Sequence, residues 1–291
     1  MQTTVRSALR DGMARLAAAS APSHALAAEL LLMHAIGHDR AWIYAHPETE
    51  LGKESATTFF ELIARRASGV PTQYLTGKQE FWGMEFEVTP AVLIPRPETE
   101  HVIEVAFQRS DERSGANRGE SLRIADVGTG SGCIAVALAK ELPNAQIFAT
   151  DISAEALRIA MHNAEKHGVA QRVRFVQCDL LESRECESQA FDLIVSNPPY
   201  VARAEENELA REVRDYEPHT ALFGGATGAE IHERFIAQAS QCLRLGGLLV
   251  VEVGYGASER VRAIFDVNSW NDIRITEDLA GIPRVISANR A

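Results

Sequence analysis

The chain has 291 residues, of which 46% are hydrophobic and 24% charged, a composition that is typical of a globular protein and excludes a disordered or fibrous one. Lys and Arg total 29 against 40 Asp and Glu, and the resulting net charge of -11 argues against naked nucleic acid as the main substrate. The four cysteines form no CxxC pair and the nine histidines are scattered, so we expect neither a disulfide scaffold nor a metal site.

The first 75 residues carry a helical pattern of apolar side chains. Leu26, Leu30 and Met33 recur at the spacing i, i+4, i+7, and a second stripe of this kind, with Phe59, precedes a glycine. We interpret these stripes as the core of a small helical bundle, in preference to a groove for a partner. Residues 1–75 are therefore predicted to form an N-terminal helical domain.

A strand pattern follows the helical region. In Phe81–Val92, FWGMEFEVTPAV, aromatic and β-branched residues alternate around turn-forming residues, which predicts a β-hairpin. We assign residues 76–96 to a linker that contains this hairpin and joins two domains.

Residues 97–291 are predicted to form an α/β domain. A helix is predicted from Pro97 to about Arg109, with Glu98 at the positive end of its dipole, and the polar run 111–120 is predicted to be a surface loop. Beyond the loop, short apolar runs alternate with helical stretches. This alternation predicts a parallel sheet with helices on both faces.

Three consecutive predicted strands end in residues that suit a nucleoside ligand. The first is followed by the glycine loop DVGTGSG at 126–132, where backbone N–H groups can approach a ligand closely. Asp151 ends the next strand, at the position where a carboxylate accepts hydrogen bonds from a ribose diol, and Asp179 ends the third. Each feature alone also fits a tight turn or a helix cap. Together they resemble the S-adenosylmethionine (SAM) pocket of class I methyltransferases.

That resemblance assigns roles to the three strand ends. It implies that the glycine loop holds the methionine moiety, that Asp151 holds the ribose, and that Asp179 and Leu180 lie beside the adenine, where some relatives have an aromatic residue in place of Leu180. Asn197 is expected to border the same pocket. SAM is the implied cofactor and S-adenosylhomocysteine its product. The loop residues concerned are Gly128, Thr129, Gly130, Ser131 and Gly132.

The fourth predicted strand of this domain ends in Asn197, Pro198, Pro199 and Tyr200. A proline turn begun by an asparagine is one interpretation of this tetrapeptide. The other is catalytic, because a planar amide or aryl amine is a poor nucleophile whose two N–H groups need two acceptors. The Asn197 side-chain carbonyl and the Pro198 main-chain carbonyl can supply them, while Tyr200 lies against the flat substrate group.

The whole chain resembles the release factor glutamine methyltransferases, the PrmC/HemK family. Asn-Pro-Pro-Tyr alone is shared with adenine-amine methyltransferases, but its combination with IPRPETE is highly specific. The matching segments are ASGVPTQYLTGKQEFWG at 67–83, VLIPRPETE at 92–100, DVGTGSGCIA at 126–135, VSNPPY at 195–200 and YEPHTALFGG at 216–225.

This resemblance implies a Rossmann-like fold with a seven-stranded, mostly parallel sheet and a small helical domain joined by a hairpin. It implies methylation, at N5, of the glutamine in the Gly-Gly-Gln loop of class 1 peptide chain release factors. The continuation Pro97–Glu100 favours these substrates over the ribosomal protein modified by a sister family. Residues 1–75 are expected to recognise the release factor, and Arg96, Glu98 and Glu100 to join that surface to the pocket.

Other interpretations remain open at this stage. A DNA adenine methyltransferase needs a basic cleft that is not apparent, and a non-enzymatic SAM-binding protein needs no amide-holding motif. The stretch 203–217, with six acidic residues and three arginines, is interpreted as a solvated face or a contact for the protein substrate. The chain has no signal-peptide core and no long apolar window, so we expect a cytoplasmic protein that does not contact a membrane. We also expect a monomer without direct contact with nucleic acid.

Overall fold

The computed structural model describes residues 3–114, 121–187 and 190–291 of the chain. It contains two units. One comprises Met1–Lys78 together with Ala210–Tyr216, and we call it the helical unit. The other comprises Gln79–Leu209 and Glu217–Ala291, and we call it the sheet unit.

The helices are α1 (Val5–Ala18), α2 (His24–Ile36), α3 (Arg40–Ala45), α4 (Lys53–Ala67), α5 (Thr72–Thr76), α6 (Glu100–Ser114), α7 (Cys133–Glu141), α8 (Ala154–Lys166), α9 (Arg184–Glu187), α10 (Arg211–Tyr216), α11 (His219–Leu222), α12 (Glu230–Cys242) and α13 (Ser258–Arg262). The strands are β1 (Lys78–Phe81), β2 (Met84–Glu87), β3 (Arg123–Val127), β4 (Gln146–Asp151), β5 (Val173–Gln177), β6 (Phe191–Ser196), β7 (Val201–Ala202), β8 (Phe223–Gly225), β9 (Leu243–Glu252), β10 (Trp270–Glu277) and β11 (Pro283–Arg290). Short 3-10 helices span Pro97–Thr99, Ala170–Arg172 and Arg203–Glu208.

The core of the helical unit lies between α1, α2 and α4. The predicted stripe on α4 is confirmed, since Phe59 is fully buried. The predicted stripe on α2 is confirmed for Met33, which packs against this core, but is wrong for Leu26 and Leu30, which are 49% and 36% exposed; Leu31 and Leu32 on the other side of the helix are buried instead. Because α2 is apolar on nearly every side, the i, i+4, i+7 spacing alone does not select the buried face.

The helical unit also includes α10, which is distant from α1–α5 in the sequence. The Glu212 carboxylate lies 2.7 Å from the Arg66 guanidinium, which is only 4% exposed, and the Tyr216 hydroxyl donates to the Ser68 carbonyl at 3.2 Å. Arg66 also donates to the Val70 carbonyl. The interpretation of 203–217 as a solvated face is therefore wrong for Glu212, whose charge is paired with a buried cation.

The sheet unit is built on a seven-stranded sheet with the order β10-β11-β9-β6-β3-β4-β5. Strands β3, β4, β5, β6 and β9 pair in parallel, whereas β11 runs antiparallel to both β9 and β10. Helices α6 and α7 contribute to the apolar cluster on one face of the sheet and α12 to the cluster on the other. The prediction of a mostly parallel sheet covered on both faces is confirmed.

The register of the parallel strands aligns their carboxyl ends. Val127 at the end of β3 pairs with Thr150 of β4 and with Ser196 of β6. The residues that follow these three in the chain therefore lie at one edge of the sheet. They are Gly128, Asp151 and Asn197.

The predicted hairpin exists but begins earlier in the chain. Strands β1 and β2 form a two-stranded sheet joined by Trp82 and Gly83, whose φ angles of +54° and +65° make a tight turn. Phe81 and Phe86 enter the core of the sheet unit, and the Glu87 N–H donates to Asn163 at 2.8 Å. These contacts hold the hairpin against the sheet unit.

Helix α6 continues to Ser114, past the end predicted for it at Arg109. The predicted loop 111–120 is thus helical at its start, and its residues 115–120 lie outside the described residues. Within the described residues, no helix combines the length and apolar character that crossing a bilayer requires.

We expect Glu212→Gln to lower the free energy of unfolding by about 3 kcal/mol, because the substitution leaves the buried Arg66 charge without its carboxylate. Urea denaturation followed by circular dichroism measures the change. Glu208→Gln, at an exposed acidic residue of the same stretch, serves as the control and should stay near wild type. Equal stability of the two variants would contradict a structural role for the Arg66–Glu212 pair.

Candidate active site

The glycine loop after β3 is held by the neighbouring strand β4. The N–H groups of Gly128 and Thr129 both donate to the Thr150 carbonyl at 2.9 Å. Gly128, Gly130 and Gly132 have φ angles of +71°, +55° and +81°, a region that residues with a Cβ rarely adopt. The loop backbone is consequently exposed toward the edge of the sheet without intervening side chains.

Asp126 anchors this loop from below, a role that the sequence analysis missed. Its Oδ2 accepts hydrogen bonds from the Thr129 hydroxyl at 2.6 Å and from the Ala135 N–H at 3.0 Å. Its Oδ1 has no hydrogen-bond partner among the described residues. Burial raises the pKa of Asp126 to about 7. The carboxyl thus joins the loop to the first turn of α7.

Asp151 lies where β4 meets the glycine loop. One carboxylate oxygen accepts from the Gly130 N–H and the other from the Ser153 N–H, both at 2.9 Å. Burial raises the pKa of Asp151, and these backbone hydrogen bonds oppose that shift. The Asp151 carboxylate therefore holds the glycine loop, and it also borders the cavity described next.

A cavity of about 360 Å³, which we call the edge cavity, opens at this edge of the sheet. It extends from the glycine loop to the ends of β5 and β6. The predicted site residues that line it are Gly128, Gly130, Asp151, Asp179, Leu180, Asn197 and Pro199. Lining residues that the sequence analysis missed include Ile152, Arg203, His219 and Arg234. Arg203 and His219 lie in the stretch 203–217 and in the segment 216–225 that the sequence analysis singled out, which could have pointed to them, whereas Ile152 and Arg234 lie in neither.

The Asp179–Leu180 end of the edge cavity is held by polar contacts. The Thr150 hydroxyl donates to the Leu180 carbonyl at 2.8 Å, and the Leu180 φ angle is +53°. The Asp179 carboxylate pairs with the Arg234 guanidinium at 2.7 Å, and the same guanidinium lies 3.1 Å from Glu182. The Asp179 carboxylate is therefore ion-paired with Arg234, a residue that the sequence analysis did not associate with it.

Asn197 follows β6 directly and borders the edge cavity together with Pro199. Its Nδ2 donates to the Thr99 hydroxyl oxygen at 3.0 Å. Pro198 is buried. Tyr200 lies outside the edge cavity, where its ring packs so closely on Gly254 that a Cβ there would be 2.8 Å from Tyr200 Cδ2.

Tyr200 borders a second cavity, of about 290 Å³, together with Glu205, Tyr255 and Arg260. The Asn197–Tyr200 segment thus has one cavity at each end, within the sheet unit. Burial raises the pKa of the Tyr200 hydroxyl, and the nearby Glu252 carboxylate adds to the shift.

The predicted residues at the start of α6 and just before it, Arg96, Glu98 and Glu100, are not among those that line the edge cavity. The Arg96 guanidinium is 2.6 Å from the buried Glu217 carboxylate, which also accepts the Ile94 N–H at 3.4 Å. Glu100 accepts the Trp82 N–H of the hairpin turn at 2.6 Å. Glu98 is half-buried, and its charge raises the pKa of the Tyr200 hydroxyl.

The remaining loop residues also sit behind the cavity wall. Thr129 and Ser131 are buried, and Gly132 packs against Ala160 of α8. Their positions support the loop backbone and do not provide side chains to the cavity.

Comparisons with known proteins agree with this architecture. A family model described as the PrmC N-terminal domain matches residues 7–77, and one described as the methyltransferase small domain matches residues 115–214. A release factor glutamine methyltransferase from Koribacter versatilis is 45% identical over 283 residues, which cover 97% of each chain. Another from Nitratidesulfovibrio vulgaris is 43% identical over 99% of this chain and 95% of the relative. The chain belongs to the release factor glutamine methyltransferase family.

The methyltransferase is also similar in fold to solved structures of low sequence identity. The catalytic domain of hMettl16, solved in complex with a MAT2A 3'UTR hairpin, superposes with a TM-score of 0.57 and is 17% identical. The similarity covers 78% of this chain and 80% of that domain. It supports the methyltransferase fold of the sheet unit.

We expect Gly132→Ala to destabilise the methyltransferase by about 1 to 3 kcal/mol more than Gly128→Ala does. Both positions have a positive φ, so the strain of the backbone is similar. A Cβ at Gly132 would lie 3.0 Å from the Ala160 Cβ, whereas a Cβ at Gly128 has no heavy atom within 4 Å. Urea denaturation of the two variants gives the difference. Equal losses would contradict the close packing of Gly132 on α8.

Proposed function

We propose that this methyltransferase transfers a methyl group from SAM to the side-chain amide nitrogen, N5, of the glutamine in the Gly-Gly-Gln loop of class 1 peptide chain release factors. The observation that carries the proposal is the position of Asn197, a side-chain amide held by Thr99 at the wall of the edge cavity. Relatives named release factor glutamine methyltransferase align over nearly the whole chain. We infer that the enzyme acts as a monomer in the cytoplasm, without direct contact with nucleic acid.

The edge cavity suits a nucleoside attached to an amino acid. The Asp151 carboxylate is a ready acceptor for a ribose diol, because its ionised form accepts strong hydrogen bonds. Gly128 and Gly130 leave the loop backbone accessible to a charged amino-acid moiety, and Leu180 and Ile152 offer apolar surface for a purine. SAM, when bound, supplies a methyl group activated by its positively charged sulfur.

The Asn-Pro-Pro-Tyr segment is inferred to hold the acceptor amide. The Asn197 side-chain oxygen and the Pro198 main-chain oxygen accept the two N–H groups of the glutamine amide, which orients its nitrogen toward the edge cavity. The proline rings fix the backbone and remove N–H donors that would compete for the same acceptors. Tyr200 closes the other end of the segment against Gly254. Positioning in a site with little water supplies the main rate enhancement.

Arg96, Glu98 and Glu100, at the start of α6 and just before it, are inferred to face the protein substrate. Arg96 holds Glu217 and Glu100 holds the hairpin turn, so these two residues fix the chain on either side of Thr99. The Glu98 carboxylate raises the pKa of the Tyr200 hydroxyl, and the Arg96 charge lowers it. We infer that Arg96, Glu98 and Glu100 shape the path by which the Gly-Gly-Gln loop reaches Asn197.

Residues 1–75 are inferred to recognise the body of the release factor. A glutamine side chain alone offers little surface, so discrimination between protein substrates needs contacts remote from the reacting atom. Because the helical unit also contains Ala210–Tyr216, deleting residues 1–75 would leave α10 without its packing partners. Point substitutions on exposed side chains of α1–α5 therefore test this inference more cleanly than truncation.

We expect Asp151→Ala to raise the dissociation constant for SAM roughly 10- to 100-fold, because a largely buried ribose diol would lose a charged acceptor. Isothermal titration calorimetry measures the constant. Since Asp151 also ties down Gly130 and Ser153, the control is Ser153→Ala, which removes the α8 cap at Ala156 without removing the carboxylate. Wild-type affinity in Asp151→Ala, or an equal loss in both variants, would rule out ribose binding by Asp151.

We expect the purified enzyme and SAM to add one methyl group to the Gly-Gly-Gln glutamine of a release factor, as seen by mass spectrometry of its peptides. Asn197→Ala should bind SAM nearly as well as wild type but lose most of this activity. A release factor with that glutamine changed to glutamate is the substrate control. Faster methylation of a ribosomal protein or of duplex DNA would reject the proposed substrate while leaving the methyltransferase fold intact.

A further inference from the structure

The Asp179 carboxylate lines the edge cavity next to Leu180, at the end that offers apolar surface for a purine. An ionised carboxylate only accepts hydrogen bonds, and the 6-amino group of adenine carries N–H donors, so the two groups are complementary. The Asp179 side chain is partly exposed, however, and an exposed carboxyl group is free to turn away from the cavity. Its value for binding a purine therefore depends on what holds it.

The backbone of the turn that follows β5 is fixed from two sides. On the side of β4, the Thr150 hydroxyl donates to the Leu180 carbonyl at 2.8 Å. On the side of α12, the Leu181 N–H donates to the side-chain oxygen of Gln238 at 3.0 Å. These contacts place the turn, but they leave the direction of the Asp179 side chain undetermined.

Arg234 of α12 sets that direction. Its Nη2 donates to Asp179 Oδ2 at 2.7 Å and to Glu182 Oε1 at 3.1 Å. Gln238, one helical turn further along α12, donates to the same Glu182 oxygen at 2.7 Å. The guanidinium is therefore held by a residue that is itself held. The other oxygen of Asp179, Oδ1, accepts no hydrogen bond among the described residues.

We propose that Arg234 is a positioning residue for the purine of SAM and that it acts by holding Asp179. With Oδ2 bonded to Arg234, Oδ1 is left to accept an N–H of the purine 6-amino group. A pre-oriented acceptor binds more tightly than one that must be ordered when the ligand arrives. The inference rests on the proposed function, because it concerns SAM bound in the edge cavity.

Stability alone does not account for this arrangement. The Arg234 and Asp179 side chains are 43% and 39% exposed, and ion pairs with such exposure contribute little to the free energy of unfolding. Both residues line the edge cavity, which sets this pair apart from a surface pair such as Arg158 with Glu155 on α8. The location of the Arg234–Asp179 pair thus favours a role in binding.

The test measures the binding of S-adenosylhomocysteine and of S-inosylhomocysteine by isothermal titration calorimetry. The second ligand has a carbonyl oxygen in place of the 6-amino group, so it cannot donate to Asp179 from that position. The wild-type enzyme should bind the first ligand at least about tenfold more tightly. Arg234→Met, which removes the guanidinium but keeps a long side chain, should weaken binding of the first ligand roughly tenfold and change binding of the second less than about twofold.

Asp179→Ala is the second arm, because it removes the carboxylate that Arg234 is proposed to hold. In that background, Arg234→Met should change the affinity for S-adenosylhomocysteine less than about twofold, since the two substitutions remove the same interaction. Arg158→Met, at an exposed arginine outside the wall of the edge cavity, is the matched control and should bind both ligands as the wild type does.

A loss of less than about twofold for S-adenosylhomocysteine in Arg234→Met would overturn the proposal, as would equal losses for the two ligands, which indicate a general disturbance of the cavity. The same loss with and without Asp179 would also overturn it, because Arg234 would then act by another route. Failure of the wild-type enzyme to bind S-adenosylhomocysteine would instead overturn the proposed cofactor site. Failure to methylate a release factor would overturn only the proposed substrate.

Discussion

Parallel pairing of β3 with β4 on one side and β6 on the other is the constraint on which the site depends. Val127 pairs with both Thr150 and Ser196, so three strands end at the same level. Had β6 paired one residue further along, Asn197 would point to the other face of the sheet, since side chains alternate along a strand. The apolar faces of these strands, buried under helices on both sides, prevent such a shift.

The edge created by this pairing concentrates buried carboxyl groups. Asp126 and Glu252 each have one oxygen without a hydrogen-bond partner among the described residues, and burial raises both pKa values to about 7. Each of these groups reduces stability when it is ionised. Two carboxylates at this edge also hold the backbone beside them: Asp126 holds the glycine loop, and Asp151 ties that loop to the start of α8. Asp151 also lines the edge cavity, whereas Asp126 is fully buried and bonds only to the loop and to α7.

The chain path links the two units in an unusual way. After the Asn-Pro-Pro-Tyr segment, the chain leaves the sheet unit at Leu209, forms α10 within the helical unit and returns at Glu217. The ion pair between Arg66 and Glu212 holds α10 within the helical unit. The ion pair between Arg96 and Glu217 holds the chain where it re-enters the sheet unit. The helical unit is thus more than an N-terminal addition, because it also contains Ala210–Tyr216 from the second half of the chain.

The sequence by itself determined the α/β class, the glycine loop and the Asn-Pro-Pro-Tyr segment, because turn residues and strand ends leave local patterns that do not depend on distant contacts. Only the tertiary structure decided which face of α2 is buried, since an apolar helix offers several faces and packing selects one. It alone brought Thr99 to Asn197, about 100 positions further along the chain, because side-chain contacts across such separations follow from strand order and helix packing. Local pattern identified the family and its reaction, whereas the assembled fold placed the Thr99 hydroxyl against Asn197.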